Sequence, residues 1–317
     1  MINRELIRVK VIQLVYAYLQ NADKTPNDID KELGFSFSKT YDLYKYLLSL
    51  LVEVKRVAER KEEARILRSQ RLGIADEDSS NDVILASNKL LEQLSQNDML
   101  LNYIEREKSQ WNDEDVIVKN LYNAFINSDI FAEYIRRNNF SYAADNELIR
   151  RLYKACVYEN ELLDASIEEQ GLYWNDDKIN IDPYVVKTLA QFTETTQPDH
   201  ELYPDFVDER DRQFAHNLLR YAVENSAQLQ QYIKDHAQGW DFERIALMDI
   251  VIVQTALAEI LSFGDIPLGV SINEYVELAK SYSTPRSASF VNGILDNISK
   301  HLRNEGILLK SAARAKK

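Results

Sequence analysis

Cysteine is nearly absent from this chain: Cys156 is the single one among 317 residues. One cysteine excludes an internal disulfide framework and a multi-cysteine metal site, and it fits a reducing compartment such as the cytoplasm. We interpret Cys156 as a small residue of the core. Glycine and proline are also scarce, with 8 and 6 copies. Because turn-rich β architectures need more of both, the composition predicts an all-α protein.

Sequence patterns that usually carry catalysis are absent as well. The chain has no GxxxxGK, GxGxxG, HExxH, CxxC or GxSxG motif, which removes the usual signatures of phosphate-binding loops, zinc sites and nucleophilic serines. The four histidines, at positions 200, 216, 236 and 301, lack the spacing of metal ligands. We therefore expect no catalytic residue, no bound metal and no cofactor.

Long uninterrupted apolar runs are missing too. The most apolar segment, "ALMDIVIVQTALAEIL" at 246–261, is broken by Asp249 and Gln254 and is too short to span a bilayer. The N-terminal residues interleave Arg4, Glu5 and Arg8 with apolar side chains, unlike the apolar region of a signal peptide. These features predict a cytoplasmic protein that makes no membrane contact.

Positive charge is in deficit, because 38 Lys and Arg face 51 Asp and Glu, for a formal net charge of −13. Broad, non-specific binding to nucleic acid depends on clustered cations that neutralise phosphates, so this balance argues against it. A local basic site remains compatible with the composition.

Hydrophobic spacing predicts a series of helices. They cover about 3–20, where a small positive face is expected, then 38–70, 83–109, 114–136, 145–169, 242–262 and 271–282, with a last helix starting at Thr284 or Ser287. "SINE" at 271–274 matches a capping box at the start of the seventh. "DEDSSND" at 76–82 reads as a linker with capping residues rather than a calcium loop. Residues 145–174 and 211–240 share apolar positions and a final tryptophan, and chance similarity and duplication remain equally open.

Two residues of the predicted C-terminal helices need a special reason. Gly293 inside a helix costs about 1 kcal/mol relative to alanine, so a crossing helix, or less often a ligand at a pocket lip formed with Asn292, should approach it closely. Asp249 stands in an otherwise apolar helix, where it lies either on the outer face or on a protein-binding surface.

The C-terminal third resembles the NusB family of bacterial transcription antitermination factors. The signatures are Trp240 with Glu243 and Arg244, then "AEIL", "DIP", "INEYVELAK" and "FVNGILD" in fixed order. "RELIRVKVIQLVYAY" is similar to the family's first helix. The resemblance implies a helical-bundle core made of residues 1–20 and 205–305, with an additional helical region at 21–204 and a basic tail at 306–317.

The resemblance implies a binding protein without an active site. Family members pair with a ribosomal protein, NusE, and the pair binds the boxA element of nascent ribosomal RNA within the transcription elongation complex. The RNA-binding residues would be Arg4, Arg8, Lys10, Lys280, Tyr282, Ser283, Arg286, Ser289 and Phe290. The acids facing NusE would be Glu243 and Asp249. Aromatic and basic side chains suit single-stranded RNA, although Phe290 could equally be a core residue.

Two alternatives to this function stay open. One is a helical scaffold that has lost RNA binding, and the other is an accessory to an RNA-modifying enzyme, because a NusB-like domain precedes the catalytic domain in some ribosomal-RNA cytosine methyltransferases. The missing glycine-rich cofactor loop and the position of Cys156 outside the family-like segments disfavour the enzyme. A complex with NusE that forms but does not bind RNA would favour the scaffold over the antitermination factor.

Overall fold

The computed structural model describes residues 1–21, 23–72, 81–107, 115–174, 176–237 and 245–308. These residues form fifteen helices and no strand, so the prediction of an all-α fold is confirmed. The helices are α1 (Arg4–Gln20), α2 (Pro26–Leu72), α3 (Asn81–Ala86), α4 (Lys89–Gln96), α5 (Asp98–Arg106), α6 (Asp115–Ile126), α7 (Asp129–Arg137), α8 (Tyr142–Cys156), α9 (Glu161–Gln170), α10 (Lys178–Gln191), α11 (Glu209–Glu224), α12 (Ser226–His236), α13 (Leu247–Ser262), α14 (Leu268–Tyr282) and α15 (Ser287–Asn304).

The chain divides into two compact units. The terminal unit contains Ile2–Phe37 and Phe206–Lys317, and the middle unit contains Met1 and Ser38–Asp205. Helix α2 therefore begins in the terminal unit and continues in the middle unit. The family-based boundaries at residues 20 and 204 stay a prediction. None of the described helices combines the length and apolar character needed to cross a membrane.

Helix α13 forms the centre of the terminal unit. Every residue from Asp249 to Ile260 is buried, so the helix is enclosed on all sides rather than along one apolar stripe. It packs against α1, α11, α12, α14 and α15. Its end at Ser262 and the end of α14 at Tyr282 lie where the sequence predicted them.

Helix α1 is also mostly buried. Its first turn starts at Asn3, whose side chain accepts a hydrogen bond from the backbone N–H of Leu6. Arg8 and Lys10 are 4% and 3% exposed. The small positive face expected on this helix is therefore wrong for these two residues, and Arg4 is the basic residue of α1 that reaches solvent.

A buried ion pair joins α1 to α13. The Arg8 Nε and Nη2 atoms donate to the two carboxylate oxygens of Glu259 at 2.8 and 3.0 Å, and Nη1 donates to Glu274 of α14 at 2.9 Å. Burial disfavours the charged form of Arg8, but the hydrogen bond and charge of Glu259 outweigh it and raise the pKa of Arg8 above its ordinary value. Glu259 also accepts from the Ser271 and Tyr275 hydroxyls at 2.8 and 3.1 Å.

The same cluster explains why the predicted capping box at 271–274 is wrong. Helix α14 begins at Leu268 after Pro267, so Ser271 lies inside the helix, where its hydroxyl donates to Glu259. Glu274 accepts from Arg8 instead of reaching back to the backbone at 271. Long-range partners therefore take both side chains that the local motif would have used.

The middle unit is organised around α8, which packs against α4, α6, α7 and α10. Three segments predicted as single helices are each interrupted: 83–109 contains α3, α4 and α5, 114–136 contains α6 and α7, and 145–169 contains α8 and α9. Polar side chains cap the new starts through backbone N–H groups, and they are Asn88, Asn97, Ser128 and Asn160. The predicted linker at 76–82 lies outside the described residues up to position 80.

The start of α2 was predicted too late. Pro26 occupies its first position, and Thr25 and Asp28 hydrogen-bond reciprocally at the helix start. Gly34 follows inside the helix and is exposed, and no described atom beyond its chain neighbours and the backbone of its own helix lies within 4 Å of where a Cβ would stand. This glycine weakens the sequence signal for helix without preventing the helix.

The two segments of the suggested repeat each form a helix pair, α8 with α9 and α11 with α12. The matched apolar pairs are buried in both copies, and they are Leu152 and Leu218, Val157 and Val223, Leu163 and Leu229, and Ile167 and Ile233. Apolar residues buried at helical intervals are common to all amphipathic helices, so this agreement does not distinguish duplication from chance. Trp240 lies outside the described residues. Duplication stays a prediction.

Breaking the α1–α13 ion pair should destabilise the protein strongly. In Arg8→Leu, Glu259 is left buried without its cationic partner, so we expect the free energy of unfolding to fall by about 3–5 kcal/mol in urea denaturation. The double variant Arg8→Leu, Glu259→Leu should recover part of that loss, because no buried charge remains.

Arg4→Leu is the control for this measurement. The Arg4–Asp211 pair, at 3.0 Å, is 39% and 25% exposed at its two side chains, so its loss should cost no more than about 1 kcal/mol. A smaller effect for Arg8→Leu than for Arg4→Leu would show that the buried pair does not hold α1.

Candidate nucleic-acid interface

The candidate site is the loop between α14 and α15, with the residues that flank it. Thr284, Pro285 and Arg286 are exposed, and Ser287 opens an 18-residue helix. The N-terminus of such a helix carries partial positive charge from its backbone N–H groups. The loop therefore places a cationic side chain beside a positive helix end.

Asp249 holds this loop in place from below. It is 7% exposed and accepts hydrogen bonds from the hydroxyls of Ser283 at 2.6 Å and Ser287 at 2.9 Å. The backbone N–H of Thr284 in turn donates to the Ser287 hydroxyl at 3.1 Å. The outer-face interpretation of Asp249 is therefore wrong. Its contact with a partner protein stays a prediction, and the structure adds a role inside the chain.

Arg286 is an exposed cation of this loop, and no carboxylate among the described residues pairs with it. No ion pair of Arg286 occurs among the described residues. Lys280 is also exposed, but it is paired with Glu277 at 2.6 Å, an exposed contact that contributes little. Ser289 is exposed in the first turn of α15, and Ser283 and Tyr282 are partly exposed. The loop brings five of the nine predicted RNA-binding residues into one surface region: Lys280, Tyr282, Ser283, Arg286 and Ser289.

The other predicted RNA-binding residues lie elsewhere or inside. Phe290 is 5% exposed, which favours the core-packing alternative over stacking on a base. Arg8 and Lys10 are buried, and Arg8 is committed to Glu259. Arg4 is partly exposed, paired with Asp211, and its guanidinium lies 4.9 Å from the centroid of the Phe214 ring. The sequence shows residue types suited to RNA at these positions, but it does not show that several of these side chains are buried.

Glu243, the second acid predicted to face a partner protein, lies outside the described residues, as do Trp240 and Arg244. No cluster of three or more metal-binding side chains occurs in the part of the chain that is described. The described interface therefore consists of hydroxyls, the unpaired Arg286, the Lys280–Glu277 pair and a helix N-terminus.

Gly293 does not admit a crossing helix. It and Asn292 are exposed on α15, and no described atom beyond its chain neighbours and the backbone of its own helix lies within 4 Å of the position that a Cβ would take at 293. The packing explanation, which the sequence favoured, is therefore wrong. The helix therefore exposes bare backbone about two turns after the loop, and none of the described residues packs on it.

The family match lies mainly in the terminal unit and begins in the last residues of the middle unit. A family model described as the NusB family matches residues 184–300. The transcription antitermination protein NusB of Salinibacter ruber is 40% identical over 100 residues, 32% of this chain and 62% of that protein. That of Chloroherpeton thalassium is 38% identical over 105 residues, 33% of this chain and 50% of that protein.

A further relative is matched over more of its own length. The transcription antitermination protein NusB of Alkaliphilus oremlandii is 36% identical over 111 residues, 35% of this chain and 78% of that protein. The match therefore spans between half and about four fifths of these three relatives, and less than two thirds of the first two. No solved structure gives a significant match to the chain.

Alanine at position 293 should stabilise the free protein. Because a Cβ there meets open space, Gly293→Ala should raise the free energy of unfolding by about 0.5–1 kcal/mol in urea denaturation. Gly34→Ala is the matched control, since Gly34 is also exposed inside a helix with free space around it. A destabilising effect at 293 alone would mean that something packs on it.

Proposed function

The chain belongs to the NusB family, and from this premise we propose that it is a transcription antitermination factor that binds boxA-type ribosomal RNA together with ribosomal protein NusE. The proposed complex acts within the transcription elongation complex, and the chain contributes binding rather than catalysis. The observation that carries the RNA part is Arg286, an exposed cation with no ion pair in the described residues, on a loop held by Asp249 beside a helix N-terminus.

The geometry supports different roles for the nine RNA-binding residues that the family resemblance implies. Arg286 and Lys280 would contact phosphates, while Ser283, Ser289 and Tyr282 would contact sugars and bases. Arg4 would extend the surface from α1. Arg8, Lys10 and Phe290 would support the fold from inside, because burial keeps them from RNA in this conformation.

The net charge of −13 explains why a partner is part of the proposal. An acidic chain repels the phosphate backbone at long range, so one or two unpaired cations give low affinity by themselves. A basic partner would reduce that repulsion and complete the surface. Glu243 and Asp249 are the acids proposed for its side, with Asp249 also fixing the RNA loop.

The deciding experiment is fluorescence anisotropy of a labelled boxA RNA with the full chain, with and without NusE from the same source, against a scrambled RNA and across a salt series. We expect NusE to tighten binding to boxA selectively. Arg286→Ala should lower the affinity of the complex and reduce the slope of log affinity against log salt by about 0.7, the value for one lost phosphate contact on single-stranded RNA.

Arg303→Ala is the matched control, because Arg303 is exposed at the opposite end of α15 and should change neither quantity. Gly293→Ala should weaken boxA binding if RNA or NusE approaches the bare backbone, whereas Gly34→Ala should not. A complex with NusE that binds boxA and scrambled RNA equally would contradict the RNA role and support the scaffold alternative.

The link between Asp249 and the loop can be tested without RNA. In Asp249→Asn the carboxylate that accepts from both serines is replaced by an amide, so backbone amides of residues 283–287 should exchange hydrogen faster in mass spectrometry. Gln254→Met is the control, because buried Gln254 of α13 bonds to the Ala222 carbonyl and to Ser226, away from the loop. Equal exchange of the loop in the two variants would refute the role of Asp249.

A further inference from the structure

The NusB family model begins at residue 184, so most of the middle unit lies outside that match, yet one surface of this unit has an excess of positive charge. We define the α7–α8 surface as Arg136, Arg137, Arg150, Arg151 and Lys154, together with the exposed turn at 138–141. Arg150 and Lys154 are four residues apart on one side of α8, with Arg151 next to them. Arg136 and Arg137 end α7.

The two acids on this surface do not balance its cations. Arg137 and Arg151 share the single carboxylate of Glu133, with 2.8 Å from Arg151 Nη2 to Glu133 Oε2, and these hydrogen bonds lower the pKa of Glu133. Glu147 lies 3.9 Å from Arg151, at the limit of an ion pair. The Glu133 carboxylate thus pairs with two arginines, and the Glu147 carboxylate makes at most a weak contact.

Three cations of the surface have no carboxylate of their own. Among the described residues, Arg136, Arg150 and Lys154 make no ion pair; Arg136 donates instead to a carbonyl of its own helix, that of Ala132, at 3.4 Å. The Nε of Arg150 is buried and has no hydrogen-bond partner in the described part of the chain. In a chain with a net charge of −13, cations kept away from the available acids indicate an anionic partner.

The turn between the two helices carries exposed amide and aromatic side chains, which are types suited to contacts with nucleotides. It contains Asn138, in the left-handed conformation with φ of 48°, Asn139 and Phe140, all exposed. Phe140 is 45% exposed although large and apolar, and its ring contacts the edge of Tyr134 with 5.5 Å between centroids. Exposed aromatic rings beside arginines are the usual stacking platform for single-stranded nucleic acid.

A cavity beside Phe140 is large enough for a base. It has a volume of about 280 Å³ and is lined by Ile84, Ser87, Lys89, Tyr134, Phe140 and Asp145. Asp145 accepts from the Tyr134 hydroxyl and from the backbone N–H of Lys89, at 2.9 Å for the latter, so these hydrogen bonds fix one polar wall of the cavity. The Lys89 ammonium is half exposed, 3.8 Å from Glu194.

We propose that the α7–α8 surface binds a single-stranded segment of the RNA outside the boxA element, with Phe140 stacking on an unpaired base and Arg136, Arg150 and Lys154 contacting phosphates. The proposal rests on the proposed RNA-binding function and assigns a second, sequence-tolerant contact to the middle unit. An acidic protein would satisfy the cations but would leave the exposed ring and the polar cavity unused, so RNA fits the surface better.

The test compares two RNAs with the full chain in complex with NusE. One RNA contains boxA alone, and the other carries boxA extended on each side by about 16 nucleotides, the upper end of a typical single-strand site. We expect the extended RNA to bind more tightly. Phe140→Ala should remove about tenfold in affinity for the extended RNA, the size expected for one stacked base, and should leave boxA alone unchanged.

The double variant Arg136→Ala, Lys154→Ala should lower the salt slope for the extended RNA by about 0.7 for each lost phosphate contact. Leu172→Ala and Lys187→Ala are matched controls in the same unit, at an apolar residue 82% exposed and at an exposed lysine. Unchanged binding of boxA alone by each variant shows that the protein is folded and separates this site from the loop at Arg286.

Equal affinity of the two RNAs, or extended-RNA binding that resists Phe140→Ala and the double variant, would overturn the second contact while the proposed boxA function stands. A complex that prefers neither RNA to a scrambled one would overturn the boxA function instead, and the second contact with it. An acidic protein partner for this surface would produce the first of these results.

Discussion

The buried ion pair between Arg8 and Glu259 is the constraint on which the terminal unit depends. It joins residues 251 positions apart and lies where neither charge could remain without the other. Glu259 also collects the hydroxyls of Ser271 and Tyr275, and Arg8 reaches Glu274, so α1, α13 and α14 meet at one polar cluster. The Arg8–Glu259 contact holds α1 against α13 whatever the length of the chain between these helices. A long intervening segment is therefore compatible with the fold of the terminal unit.

Helix α13 carries a second buried carboxylate ten positions earlier, and it governs the candidate site. Asp249 fixes Ser283 and Ser287 as Glu259 fixes α1 and α14. The two acids that interrupt the most apolar helix of the unit are thus both internal anchors. The position of Arg286 then follows from the core, because the loop that carries it is hydrogen-bonded to a residue of the central helix.

Sequence reasoning succeeded where local signals dominate and failed where distant residues decide. The ends of α13 and α14 follow from glycine and proline and were predicted correctly. The capping box at Ser271 was wrong because Glu259 and Arg8 outcompete the local partners. Arg8 looked like part of a basic face, since its acceptor lies 251 residues away. The resemblance directed attention to the loop at Arg286, whose contact with RNA stays a prediction. Which neighbours of Arg286 are buried, Phe290 above all, depends on tertiary packing that sequence spacing does not record.

The charges of this chain have different physical functions according to where they lie. Acids outnumber bases, yet the acids Glu259 and Asp249 are enclosed and organise the fold, while Arg286 is left exposed without a counterion in the described residues. An acidic protein can bind a polyanion only through such local exceptions, because the average field opposes it. One criterion, an exposed cation without a carboxylate partner among the described residues, selects both proposed RNA contacts. In the terminal unit, most of which the family model matches, it selects Arg286. In the middle unit, most of which lies outside that match, it selects the α7–α8 surface. Similarity assigns the first unit to a family, whereas the function proposed for the second unit rests on its own uncompensated charge.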